Sequence, residues 1–202
     1  MSGTGCEWVQ DWDAMARSLE SIEAQLRRVD LALTTFDGSV THERGVQAHQ
    51  DGLFSSGGRS PDRDDRTGSN PRRGRTVYVG ARDGAKYIRC YEKGFEILSK
   101  LRMPENIKST VTQLEYNGVG MVKVEDLYRV EVEFKDVDKV LPYTMLTDRD
   151  SYFAGANAFC ASLLPGASER RVMGLPDFNA KASLAVQLEH CRRAYGAIIR
   201  TA

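Results

Sequence analysis

Three features of this 202-residue sequence predict an α+β fold: an antiparallel sheet with helices packed on one face and a long polar loop. Several segments alternate apolar and polar residues with a period of two, as half-buried strands do. Two of these are joined by Asp83-Gly84, a strong short-range hairpin signal. Helical periodicity appears at both ends of the chain, where it supplies the layer that covers one sheet face.

The elements follow in order. Trp8, Trp12, Met15, Leu19, Ile22 and Leu26 recur at spacings of four and three and draw the stripe of a first helix. In RRVDLALTTFDG, Val29, Leu31 and Leu33 alternate with Asp30, Ala32 and Thr34, and Asp37-Gly38 then turns the chain. A short helix over 41–50 is capped by Thr41 and stopped by Gly52. Residues 55–75 hold Gly, Ser, Pro, Asp and Arg and almost nothing apolar, which predicts a flexible basic loop. RTVYVGAR and KYIRCYEKG are the hairpin strands, and LYRVEVEFKD alternates again, with Val130, Val132 and Phe134 on one side. A C-terminal helix over 178–200 carries Leu184, Leu188, Cys191, Tyr195 and Ile198 on its apolar face. The whole chain, 1–202, reads as one domain.

Composition excludes several classes. No apolar run approaches the ~20 residues of a membrane span, and the first residues lack the basic and apolar regions of a signal peptide. The four cysteines are scattered without a CxxC pair, so neither a zinc ribbon nor a disulfide framework is indicated, and a cytoplasmic location is expected. The net charge is zero but unevenly spread. Residues 1–58 hold nine acidic and four basic side chains, and residues 59–108 hold thirteen basic and seven acidic ones. A basic middle segment suits phosphate, although a solvated loop has the same composition.

With the apolar faces of the strands against the helices, the opposite face presents Asp30, Arg89, Tyr91, Lys93, Arg129, Glu131 and Glu133. A tyrosine, cations and carboxylates on one surface suit phosphodiester transfer: a phenolate to attack phosphorus, carboxylates for a divalent metal, cations for the non-bridging oxygens. Free tyrosine titrates near pH ~10, and Arg89 and Lys93, two residues either side, are expected to favour the phenolate. Oxygen donors suit Mg²⁺ or Mn²⁺, and no His-x-His pair offers another ligand set. Taken singly, each of these residues is more often a solvated or ion-paired side chain of an exposed strand. His42 and His49 share a helix face but lack a third ligand.

The ordered blocks RRVDLAL…FDG, GLFSSGGRSP, GRTVYVGAR, KYIRCYEKG, YRVEVEFK and SYFAGA resemble the replication initiation factor family, the rolling-circle initiators of filamentous phages and certain plasmids. The resemblance runs from about Ser2 to Gly155, with a weaker echo in the tail. It implies that Tyr91 is the nucleophile, with Lys93 beside it. The tyrosine would cut one strand of the origin, keep the 5′ phosphate and free a 3′ hydroxyl for a polymerase. Asp30, Glu131 and Glu133 fall on the implied ligands of Mg²⁺ or Mn²⁺. Arg72, Arg73, Arg75, Arg82, Arg89 and Arg129 are then the candidate DNA contacts, with 55–75 expected to clamp DNA. The resemblance leaves room for a host helicase or polymerase and for a homodimer. Where relatives often carry a second aspartate this chain has Thr34, so that ligand is missing or moved to Asp37. The chain begins within the family's S-G-x-G-C block, which implies that an N-terminal portion lies outside it. Two other readings stay open: a truncated paralogue that binds DNA or a full-length initiator without cutting, and a structural remnant.

Overall fold

The structure is a computed structural model that describes residues 6, 8–55, 60–68, 70, 73–137 and 139–172. Its elements are α1 (Trp12–Ser21), β1 (Arg28–Thr35), α2 (His42–Gln50), β2 (Arg63–Thr67), β3 (Arg75–Val79) and β4 (Lys86–Glu92). There follow α3 (Lys93–Lys100), α4 (Glu105–Lys108), β5 (Gln113–Tyr116), β6 (Gly120–Lys123), β7 (Tyr128–Lys135), α5 (Arg149–Ala154) and α6 (Ala158–Leu163). Five strands form one antiparallel sheet in the order β1-β7-β4-β3-β2, and β5-β6 form a separate hairpin.

Alternation decides which face is buried. Val29 and Leu31 of β1, Val77 and Val79 of β3, Ile88 and Cys90 of β4, and Val130, Val132 and Phe134 of β7 all enter one core. Val40, Ala48, Phe54, Met145, Tyr152, Phe153, Phe159 and Cys160 cover them from the segments around α2, α5 and α6. The fold is therefore the α+β arrangement that the alternation predicts, with one sheet face left open. Among the described residues no helix is long and apolar enough to cross a membrane.

Local signals account for the boundaries. The Asp11 side chain accepts from the Ala14 amide at 2.8 Å and starts α1 at Trp12, later than the apolar stripe implies. Trp8 is left 82% exposed, and Glu23, at φ 52°, ends the run before Leu26. Thr41 accepts from Arg44 at 3.2 Å to cap α2, and Gly52, at φ 74°, terminates it. The predicted helix over 178–200 lies outside the described residues.

The segment 55–75 departs from its predicted loop. Arg63–Thr67 is an edge strand, paired with β3 from Arg63 opposite Val79 to Thr67 opposite Arg75. All five residues are exposed, so the sequence carries no apolar alternation to announce a strand. Backbone pairing and polar contacts hold it instead: Asp65 to His42 at 3.1 Å, Asp64 to Arg66 at 2.9 Å, and Arg66 over the Tyr78 ring. Its charges also protect the sheet edge from pairing with other chains.

A second departure shapes the site. Lys93 does not continue β4 but opens α3, because Gly94 brings its backbone against residues 124–127, and its amide donates to the Leu127 carbonyl at 3.2 Å. A Cβ at Gly94 would overlap the Val124 carbonyl. Phe95, Ile97 and Leu98 then pack on Leu114 and Val124, forming a satellite core from the stretch between the tyrosine and glutamate strands. Gly94→Ala is expected to lower stability by roughly 1–3 kcal/mol, the cost of forcing an extra carbon into a closed contact. Urea unfolding checks this, and a wild-type midpoint would mean that α3 moves away freely.

Candidate active site

The register places the polar side chains of the open face in rows. Tyr91 of β4 lies opposite Arg129 of β7, which lies opposite Thr34 of β1. The next row holds Arg89, Glu131 and Ala32, and the one beyond it Tyr87, Glu133 and Asp30. With strands ~4.8 Å apart and a rise of ~3.3 Å per residue, Tyr91 and Glu131 have Cα atoms about 8 Å apart, and Tyr91 and Asp30 about 16 Å. The sheet thus brings Tyr91, Arg89, Arg129 and Glu131 together as neighbours. Asp30 and Glu133 form a second group further along.

Tyr91 is half-buried among cations. The Arg89 guanidinium lies 5.5 Å from its ring centre, and the Lys93 ammonium, from the first turn of α3, lies 5.8 Å away. Arg129 also engages the phenol. These cations are not idle. Arg89 is paired with Glu131, a carboxylate only 8% exposed, and Lys93 is paired with Glu96. Arg129 donates to Thr34 Oγ1 at 2.8 Å and to the Tyr116 hydroxyl at 3.0 Å.

The phenol is accordingly not held as a phenolate, and the expected lowering of its pKa is reversed. Burial pushes Tyr91 up to about 12, and Arg129 and then Arg89 pull against it while Glu131 and Glu96 add to it. An unfolded tyrosine ionises near pH ~10. The native state therefore retains the Tyr91 proton between about pH 10 and 12, and the stability this contributes is present below pH 10 and lost as pH rises through about 12. Absorbance titration of wild type against Tyr91→Phe is expected to place the missing transition near pH 12. A midpoint near or below 10 would contradict this.

The carboxylates meet cations of their own. One Arg28 nitrogen lies 2.6 Å from both an Asp30 oxygen and a Glu133 oxygen, and Lys135 reaches Glu133 at 2.8 Å. Among the described residues no three His, Cys, Asp or Glu side chains converge as a metal-holding group. Carboxylate oxygens are the donors a hard cation takes, and Asp30 and Glu133 already share one positive centre in Arg28, while Glu131 is held by Arg89. Asp37 is elsewhere, accepting from the Ser39 amide at 3.0 Å in the turn after β1. Thr34 serves as the anchor of Arg129.

Of the candidate DNA contacts, Arg89 and Arg129 are on this face, Arg82 is exposed in the β3–β4 turn, and Arg73 is exposed before β3. Arg75 is tied to Glu92 at 2.7 Å and to Glu43, which joins β3 to α2. Arg72 lies outside the described residues. Arg28, Glu96 and Tyr116 join the site without a sequence signal that singles them out. Tyr116 in particular arrives only because the β5–β6 hairpin folds back beside Arg129.

The open face of the antiparallel sheet thus bears a half-buried tyrosine among guanidinium groups and carboxylates. The chain is a member of the replication initiation factor family, whose model matches residues 24–172. It is similar to the solved structure of a rolling circle replication initiator protein from Geobacillus stearothermophilus, at 17% identity and a TM-score of 0.49. That match covers 77% of this chain and 54% of the other, so the chain spans about half the length of that relative. No curated protein matches the chain.

Proposed function

We propose that this chain is a rolling-circle replication initiator that nicks and rejoins DNA at an origin through Tyr91. The observation that carries the reading is Tyr91 itself: a phenol on the open sheet face, with Arg89, Arg129 and Lys93 around its ring. Membership of the replication initiation factor family supports it.

In the reaction, the Tyr91 oxygen forms a bond to phosphorus as the bond from phosphorus to the 3′ oxygen breaks. The phenolic proton leaves the tyrosine and the 3′ oxygen gains one, so a 5′-phosphotyrosine and a free 3′ hydroxyl result. Because the phenol is protonated at neutral pH, its proton must depart during attack, and cations beside the phosphate lower that cost. Arg89 and Arg129 are placed to bind the non-bridging oxygens, and a planar guanidinium donates two hydrogen bonds to such a group. To do so Arg89 must loosen its pair with Glu131. Asp30 and Glu133, with Glu131, would hold a divalent Mg²⁺ or Mn²⁺, which would supply positive charge to the scissile phosphate.

A second reading, a paralogue that binds DNA or a full-length initiator without cutting, is favoured by two facts. Arg89 and Lys93 are each matched by a carboxylate, and the phenol is not activated. Incubation with supercoiled DNA carrying the cognate origin, in the presence of Mn²⁺, separates the two. A covalent protein–DNA adduct is expected. Salt-sensitive binding without an adduct would establish the second reading, and neither adduct nor binding would leave the chain without a nucleic-acid role.

A further inference from the structure

Beyond Tyr91 the open face carries a second aromatic group that the nicking chemistry does not use. Tyr78 of β3 lies opposite Arg89, and Tyr87 of β4 sits two residues before Arg89, so the two rings are diagonal neighbours. They stack, with centres 5.8 Å apart and planes 17° apart. The Arg66 guanidinium of the edge strand β2 lies over the Tyr78 ring at 4.9 Å. Both rings are half-buried and Arg66 is exposed. A layered guanidinium–phenol–phenol group on an open sheet offers flat π-surface beside positive charge, which suits an unpaired nucleobase with its phosphate.

We propose that Tyr78 and Tyr87, with Arg66, form a stacking platform for an unpaired base of single-stranded DNA that flanks the phosphate attacked by Tyr91. This rests on the nicking reading above and adds to it where the strand runs: along β4, from Tyr91 past Arg89 to the tyrosine pair. Tyr87 and Tyr91 are four residues apart, about 13 Å along the strand, which at ~3.4 Å per stacked nucleotide is no more than about four nucleotides. Intact duplex is a poor occupant, because its bases are already stacked on one another and present only their edges. A single strand that crosses the sheet can turn a base face onto the rings. Stacking does not depend on base identity, so the platform would hold the strand in place while sequence is read elsewhere.

The test uses the full chain and a 16-nucleotide single strand of the cognate origin, spanning the nick, with one 2-aminopurine moved position by position, in the presence of EDTA so that no cleavage intervenes. Quenching is expected to peak at one or two adjacent positions in the wild type. Tyr78→Ala and Tyr87→Ala are each expected to weaken binding on the order of tenfold to a hundredfold. The slope of affinity against salt should stay unchanged, because no phosphate contact is lost. Tyr78→Phe and Tyr87→Phe should bind as the wild type does, since the ring and not the hydroxyl stacks. A pair that only braces the sheet would lower the melting temperature of the alanine variants and leave oligonucleotide affinity alone. Quenching without positional preference in the wild type, alanine variants with undiminished affinity, or phenylalanine variants as weak as the alanine ones would each overturn the proposal. The two readings fail separately. An adduct through Tyr91 without positional quenching removes the platform and keeps the nickase, and positional quenching without an adduct does the reverse.

Discussion

Tyr91→Phe is expected to abolish the covalent protein–DNA adduct while the protein still binds DNA. The adduct needs the phenolic oxygen, because it is the atom bonded to phosphorus, and phenylalanine keeps the ring while it removes that atom. Loss of an attacking side chain costs on the order of 10⁶ in turnover in a serine hydrolase, and here the covalent product cannot form at all. Affinity should change far less. The ring still fills its place among Arg89, Arg129 and Lys93, and one hydrogen bond to a charged group is worth about 1.5 to 3 kcal/mol, at most on the order of a hundredfold. Denaturing gels with labelled origin DNA read the adduct, and filter binding reads the affinity. An adduct that survives the substitution would move the chemistry to another tyrosine, with Tyr78 and Tyr87 the first to examine on the same face.

Glu131→Gln is expected to cut nicking roughly a hundredfold, the scale of about 3 kcal/mol that attends the loss of one electrostatic group serving a transition state. Glu131 is buried on the row next to Tyr91 and holds Arg89. The neutral amide keeps the size of the side chain and removes its charge, so packing should survive. If Glu131 is a metal ligand, the Mn²⁺ concentration for half-maximal nicking should also rise, and Mn²⁺ binding measured by calorimetry should weaken in parallel. Should it act only through Arg89, turnover falls and Mn²⁺ affinity does not change. Wild-type nicking by both Glu131→Gln and Glu133→Gln would remove the carboxylate site from the mechanism.

Much of this molecule was legible in the order of its residues. Period-two alternation in 28–35, 75–79, 86–92 and 128–135 assigned strands and their buried faces, because a half-buried strand must place apolar side chains on every second position. The same alternation put Asp30, Arg89, Tyr91, Arg129, Glu131 and Glu133 on the opposite face. Thr41 and Gly52 marked the ends of α2 for equally local reasons, a cap and a left-handed stop. The family blocks then pointed to Tyr91.

Tertiary structure alone decided the rest. The strand in 63–67 has no apolar alternation, since an edge held by backbone pairing and charge buries no side chain, so only the presence of β3 reveals it. Lys93 leaves the strand because Gly94 must pass against residues 124–127, a contact thirty residues away in sequence. The pKa of Tyr91 shows the division most plainly. Cations at positions 89 and 93 predict a lowered value, but cross-strand register gives Arg89 to Glu131, the turn of α3 gives Lys93 to Glu96, and burial then outweighs what charge remains. A sequence states which charges are near along the chain, whereas desolvation and the choice of ion-pair partner depend on what the fold brings across from other strands.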